Sequence, residues 1–219
     1  MKNREPKSIN YTMPETLGQS IYNCLKKAII ENKIEPNQKI NEKEIAESFK
    51  VSRTPVREAL VRLEAEGFTK ITSHRDVVVQ EVSYGDLAEL FQVIETLDCL
   101  AATLVIDKID PKEFIKVENM TNKLEHYYTQ KEVEKFIDMN YEIHDRIWSH
   151  LTNKYLQKSL KHCLVHIKRC NYALSSAFHK RDILDTSMKA HKKILEALNK
   201  KDEEKLKQII RQHWNPPLL

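Results

Sequence analysis

Three histidines and one asparagine fall at spacings that could hold a metal ion. Asn140 and His144 are four residues apart in a helical stretch, so they share one helix face. His191 and His213 flank a turn expected at residues 199–202. In an antiparallel helix pair rising ~1.5 Å per residue, both lie roughly 15–18 Å from that turn, at nearly the same level, and can face each other. Three imidazoles and one oxygen ligand converging in a helical core would suit a divalent transition metal such as Zn²⁺ or Ni²⁺. The competing reading is bland. Nine histidines are spread through the chain, and a histidine is more often a surface or hydrogen-bonded residue than a ligand. His162 and His166 are also four apart, lack an evident third partner, and read as structural.

A second constellation is basic. In the run from Val51 to Leu60, Ser52 stands where a helix N-cap is expected and Pro55 sits in the first turn, where its missing N–H costs little. Val56, Ala59, Leu60 and Leu63 form an apolar stripe, and Arg53 and Arg57 lie one turn apart beside it. A helix N-terminus carrying arginines suits the major groove of DNA, because guanidinium can bond guanine O6 and N7 together. Its free amides can also meet a phosphate. Two arginines at this spacing are, taken alone, more often a solvated helix face. The cysteines carry less. Cys24, Cys99, Cys163 and Cys170 form no CxxC pair. Cys163 and Cys170 are two turns apart, about 10 Å along a helix, too far for a disulfide. All four are expected to be small buried hydrophobes.

The elements that must position these residues are mostly helical. Only three glycines occur in 219 residues, which disfavours folds that lean on glycine turns. With 41% hydrophobic and 31% charged residues, the chain reads as globular, with length for two small domains. A net charge of +4 does not by itself establish nucleic-acid binding. No apolar run has the length of a membrane span, and Met1 to Asn10 lacks the apolar segment of a signal peptide, so a cytoplasmic location is expected. Helices are expected at about Glu15–Asn32, from an N-cap at Asn41 with Glu44 completing a capping box, and from Ser52 to about Glu66, ended by Gly67. Phe68–Thr72 and Val77–Val82 read as a hairpin. Ser83 to Asp86 marks a boundary, with Asp86 expected to cap the next helix. About six helices come after it, with breaks near Asp110-Pro111, Gln130, Thr152-Asn153, Arg181-Asp182 and residues 199–202.

Helix, turn, capped helix and hairpin in this order resemble the winged helix-turn-helix of the GntR family of bacterial regulators, whose signature is close to VSRTPVREAL…L…EG. Here the stretch reads VSRTPVREALVRLEAEGF. The resemblance implies DNA contacts from Lys43, Ser52, Arg53, Thr54 and Arg57, with the hairpin tip at Ser73, His74 and Arg75 reaching the minor groove. Where the family has Pro-Gly this chain has Pro36-Asn37, and asparagine tolerates the left-handed conformation required. Residues 83–219 resemble the helical effector domain of the family's FadR subgroup, on Asp86 to Leu90, Asn140-x-x-x-His144, Ala190-His191 to Leu198, and His213. That implies a metal held by Asn140, His144, His191 and His213. Relatives often carry an arginine on the first helix of this domain that can meet an acidic effector. Ile94 stands there, so a small organic acid would have to bind through the metal, helped by Arg146 or Arg169.

The expected fold is mainly α: a winged helix-turn-helix with a small β-hairpin wing over residues 1–82, then an all-α bundle for effector binding and dimerisation over 83–219. The expected function is a DNA-binding regulator, a repressor, acting as a homodimer on palindromic double-stranded operator DNA under a small-molecule effector. A metal-dependent enzyme on a helical bundle is the rival reading. It lacks the Glu-x-x-His pairs of di-iron sites, and Glu142 has no evident catalytic partner. A cysteine-based redox regulator is a third.

Overall fold

A computed structural model describes residues 16–72, 76–174 and 177–215, with the side chains of residues 177–183 outside that set. Two compact units emerge, Met1–Ile29 with Asn37–Gln80, and Ile30–Pro36 with Glu81–Leu219.

The first unit holds α1 (Leu17–Ile30), β1 (Lys39–Ile40), α2 (Glu42–Phe49), α3 (Arg53–Ala65), β2 (Thr69–Ile71) and β3 (Val77–Val79). Ile21, Leu25 and Ile29 of α1 bury an apolar stripe beside that of α3, formed by Val56, Ala59, Leu60 and Leu63. Asn32 and Asn37 both take left-handed backbone, with φ of 55° and 64°, so the Pro36-Asn37 turn forms without glycine. The Asn37 N–H then bonds the Val79 carbonyl at 3.0 Å. Gly67, at φ 76°, follows α3 as expected.

Several local expectations need correction. The hairpin strands are shorter than Phe68–Thr72 and Val77–Val82, and a third strand joins them in the antiparallel order β1-β3-β2. Two residues of β1 are too few to show alternation in a sequence. Glu44 does not reach the Asn41 backbone; its Oε1 accepts from the Asn41 side-chain amide at 2.8 Å, while Asn41 Oδ1 caps the Lys43 N–H. Ser52 occupies the N-cap position of α3 without a capping side-chain bond.

The second unit holds α4 (Tyr84–Val105), α5 (Pro111–Thr129), α6 (Val133–Trp148), α7 (Lys154–Ala173), α8 (Ala177–Lys200) and α9 (Glu203–His213). Ser83, not Asp86, is the N-cap of α4. Asp86 completes the capping box, its carboxylate accepting the Ser83 N–H at 2.8 Å. Asp110, Asn153 and Asp202 cap α5, α7 and α9. The break expected at Arg181-Asp182 lies inside α8, since neither residue prevents helical backbone. Helices α4, α6, α7, α8 and α9 share one apolar core built on Leu87, Ile94, Trp148, Leu160, Ile194 and Ile210. No described helix is long and apolar enough to cross a membrane.

Candidate metal centre and nucleic-acid interface

Three helices bring His144, His191 and His213 together from α6, α8 and α9. The turn at Lys201 sends α9 back along α8. Their ring centroids stand 5.0–5.2 Å apart, and one nitrogen from each lies within 4.8 Å of the others. His144 Nε2 is 3.2 Å from His213 Nε2. Two ligands of a tetrahedral zinc, each at ~2.0–2.1 Å, stand about 3.3 Å apart. The three rings are buried, at 3%, 1% and 6% exposure.

Their protonation suits a cation. Burial pushes His144 and His213 well below the usual imidazole range, assisted by the neighbouring rings, and burial takes His191 down to about 4. All three are therefore neutral, as metal ligation requires. His191 Nδ1 donates to the Ser187 carbonyl at 2.8 Å, which leaves the lone pair on Nε2. That Nε2 is buried without a hydrogen-bond partner, as is His213 Nδ1. Orphaned buried nitrogens are costly, and a cation would satisfy His191 Nε2. The donor set therefore fits a divalent transition ion. Asn140 is buried one turn before His144, and its Oδ1 accepts from the Ser187 hydroxyl at 2.9 Å. Ser187 thus joins Asn140 to His191.

A cavity of about 20 Å³ adjoins the triad, lined by His144, His191, Asp98 and Trp148 together with aliphatic side chains. It is large enough for one water, which needs roughly 10–15 Å³. Asp98 was not among the residues expected here. It lies within the apolar face of α4, where one acid among apolar residues gives no sign of its partners. Trp148 Nε1–H donates to its Oδ1 at 2.6 Å and Trp214 Nε1–H to its Oδ2 at 2.8 Å. Burial pushes Asp98 up to about 6, against the opposing pull of the two indoles.

The arginines suggested as effector partners stand elsewhere. Arg146 bonds both oxygens of buried Glu113, a carboxylate that also faces Lys116 and His150. Arg169 is buried on α7, and neither arginine lines the cavity. Ile94 is fully buried in the core. The cysteines do not behave alike either. Cys24 is exposed, off the buried stripe of α1, and Cys99 is half-buried. Burial raises the thiols of Cys99 and Cys163, and that of Cys170 to about 11, the opposite of what a reactive thiolate needs. The His162 and His166 rings meet edge to face at 4.7 Å, among the described residues without a third metal ligand beside them.

In the first unit, Ser52, Arg53, Thr54 and Arg57 are exposed on the side of α3 away from its buried stripe. Lys43 is exposed on α2 and lies 3.7 Å from Glu47. Arg57 donates through Nε to Glu42 at 2.8 Å. Sequence spacing could not reveal this pair, since its members are fifteen residues apart on different helices. Ser73, His74 and Arg75 lie outside the described residues.

Comparison with known proteins agrees with this division. The profile described as bacterial regulatory proteins, gntR family, matches residues 17–79, and that of the FCD domain matches residues 89–215. The chain is 30% identical over 89% of its length, and 86% of the other's, to the Uncharacterized HTH-type transcriptional regulator YdhC of Bacillus subtilis (strain 168). It is 22% identical to the HTH-type transcriptional repressor RspR of Escherichia coli (strain K12), covering 94% of this chain and 88% of that one. Among solved structures, E. coli McbR/YncC shares the fold with a TM-score of 0.77 at 22% identity, over 91% and 93% of the two chains. A putative transcriptional regulator GntR from Rhodococcus sp. RHA1 does so at 0.73 and 18%, over 90% and 93%.

Proposed function

The chain belongs to the GntR family of bacterial regulatory proteins and carries an FCD domain, and from that premise we propose that it is a repressor whose operator affinity is set by a small molecule bound beside a metal in the second unit. It is a transcriptional regulator and not an enzyme. His144, His191 and His213 would hold the ion, Zn²⁺ or Ni²⁺, with Asn140 as the oxygen donor. A divalent ion held there supplies a Lewis-acidic position for a ligand atom. The observation that carries this reading is the convergence of three neutral, buried imidazoles with His191 Nε2 unpartnered. Arg53, Arg57, Ser52, Thr54 and Lys43 would meet the DNA, with Ser73, His74 and Arg75 as the proposed wing contacts.

A palindromic operator asks for a two-fold protein. Val93, Leu100 and Leu104 are large apolar residues exposed at 51%, 49% and 37% on α4. Their spacing of seven and four residues puts them on one helix face. We assign that face to a second copy of this chain. The effector acts by binding one arrangement of the dimer better than the other.

Elemental analysis before and after chelation, with melting and operator gel shifts on both samples, tests the proposal. The expected result is one metal per chain, and a melting temperature and operator affinity that both change on its removal. A metal-free protein with full operator affinity would overturn the metal's part.

A further inference from the structure

Arg53 and Arg57 are one turn apart on the exposed side of α3, yet they are held differently. Arg57 donates through Nε to Glu42 Oε2 at 2.8 Å, whereas Arg53 has no such partner among the described residues. Glu42 opens α2 directly after its N-cap, Asn41, whose Oδ1 accepts the Lys43 N–H at 3.0 Å. The acid thus reaches from the capped first turn of one helix to a side chain of the next. Its own side chain is 30% exposed and that of Arg57 64%, so the carboxylate is the sheltered partner and the guanidinium stays largely open. A guanidinium has five N–H donors. With Nε taken, the four on the terminal nitrogens remain, and a parallel pair of them is what guanine O6 and N7 accept. An acid in this place also has a cost. DNA carries one negative charge per ~1.7 Å of its axis, so a carboxylate beside a DNA-facing arginine repels every sequence alike. What it offers in return is orientation, since the arginine is held before DNA arrives.

We propose that Glu42 is a positioning residue for DNA reading: by holding Nε it aims the terminal nitrogens of Arg57 at one guanine, and so raises discrimination between sequences while lowering affinity for DNA in general. The inference rests on the reading of α3 as the helix that meets the operator. It separates two arginines that spacing alone makes equivalent, because nothing of this kind restrains Arg53.

The probe is a DNA duplex selected by the full-length wild-type protein from a randomised library, set against a scrambled duplex of the same composition. Both affinities are measured by fluorescence anisotropy at one fixed salt concentration, and their ratio is the quantity read. E42A should bind the selected duplex about tenfold more weakly. It should bind the scrambled duplex as tightly as wild type or more tightly, because a repelling charge is gone. Tested on single base-pair changes, it should lose discrimination at the position in each half-site where R57A loses it, and at no other. In the R57A background, E42A should leave the ratio unchanged. E42Q, which removes the charge and keeps the side chain's length, should move the ratio in the same direction and serves in place of E42A should that variant fail to fold. An unchanged or raised ratio, a parallel loss on both duplexes as a purely structural role in α2 would give, or the same fall in the R57A background would overturn the proposal. If R57A itself leaves the ratio unchanged, or wild type selects no sequence, the reading of α3 falls and the role of Glu42 falls with it.

Discussion

At the scale of single residues, chemistry depends on which groups are neutral, exposed or paired. Replacing His144 and His191 together by alanine removes two of three imidazoles from the buried cluster. Elemental analysis should then find well under one metal per chain, and the shift in melting temperature on chelation should vanish. Equal metal in variant and parent would remove the site. Arg57 is the second residue-scale test. It is exposed and tethered only at the surface, through Glu42, a pair of the kind worth ~0–1 kcal/mol. Arg57→Ala should therefore leave the circular dichroism and melting curve nearly unchanged. Operator affinity should fall by about tenfold to a hundredfold, as expected for a base contact worth ~1–3 kcal/mol. Gel shifts against operator DNA at fixed salt check both halves.

At the scale of elements, helix pairing rests on polar ties as well as apolar stripes. Glu113 of α5 is held at about 2, first by Arg146 of α6 and also by Lys116 and His150. Its carboxylate is thus harder to protonate in the folded chain than in the unfolded one, where its ordinary value is 4.5. The stability it contributes is fully present above about pH 4.5 and is lost as pH falls toward 2. Glu113→Gln should lower stability by about 1–2 kcal/mol at neutral pH. It should matter progressively less from pH 4.5 down to 2. Urea melts of parent and variant at pH 7 and pH 3 check this; a constant difference between them would mean the ion pair is not the cause.

At the scale of the whole molecule, the exposed α4 face is the one proposed to meet a second copy of the chain. Leu100→Glu introduces a charge on a face that a second copy would bury, at a position already half-exposed in the monomer. The variant should stay folded, elute as a monomer with its mass verified by light scattering, and lose operator affinity by about a hundredfold. A dimeric variant would move the interface elsewhere. The three scales connect at the histidine cluster. Each ring is a residue, each arrives on its own helix, and the proposed effector there would act on the proposed pairing of two copies.

Much of the fold was legible because it is written in local rules. The left-handed Asn37, the glycine after α3, the apolar stripe of α3 and the six helices of the second unit follow from residue type and periodicity. Spacing alone also put His191 and His213 at one level, because an antiparallel helix pair converts residue number into distance. Tertiary structure decided the rest. Asp98 acquires its two indoles from residues 50 and 116 positions away, and Glu113 finds Arg146 across 33. Neither partnership has a period or a motif. Sequence by itself determined which helices form and which face each buries. Only packing decided that an acid on α4 and the imidazoles of His144 and His191 would border one small cavity, with His213 of α9 beside those two rings, because burial and pairing belong to the folded core and not to the local chain.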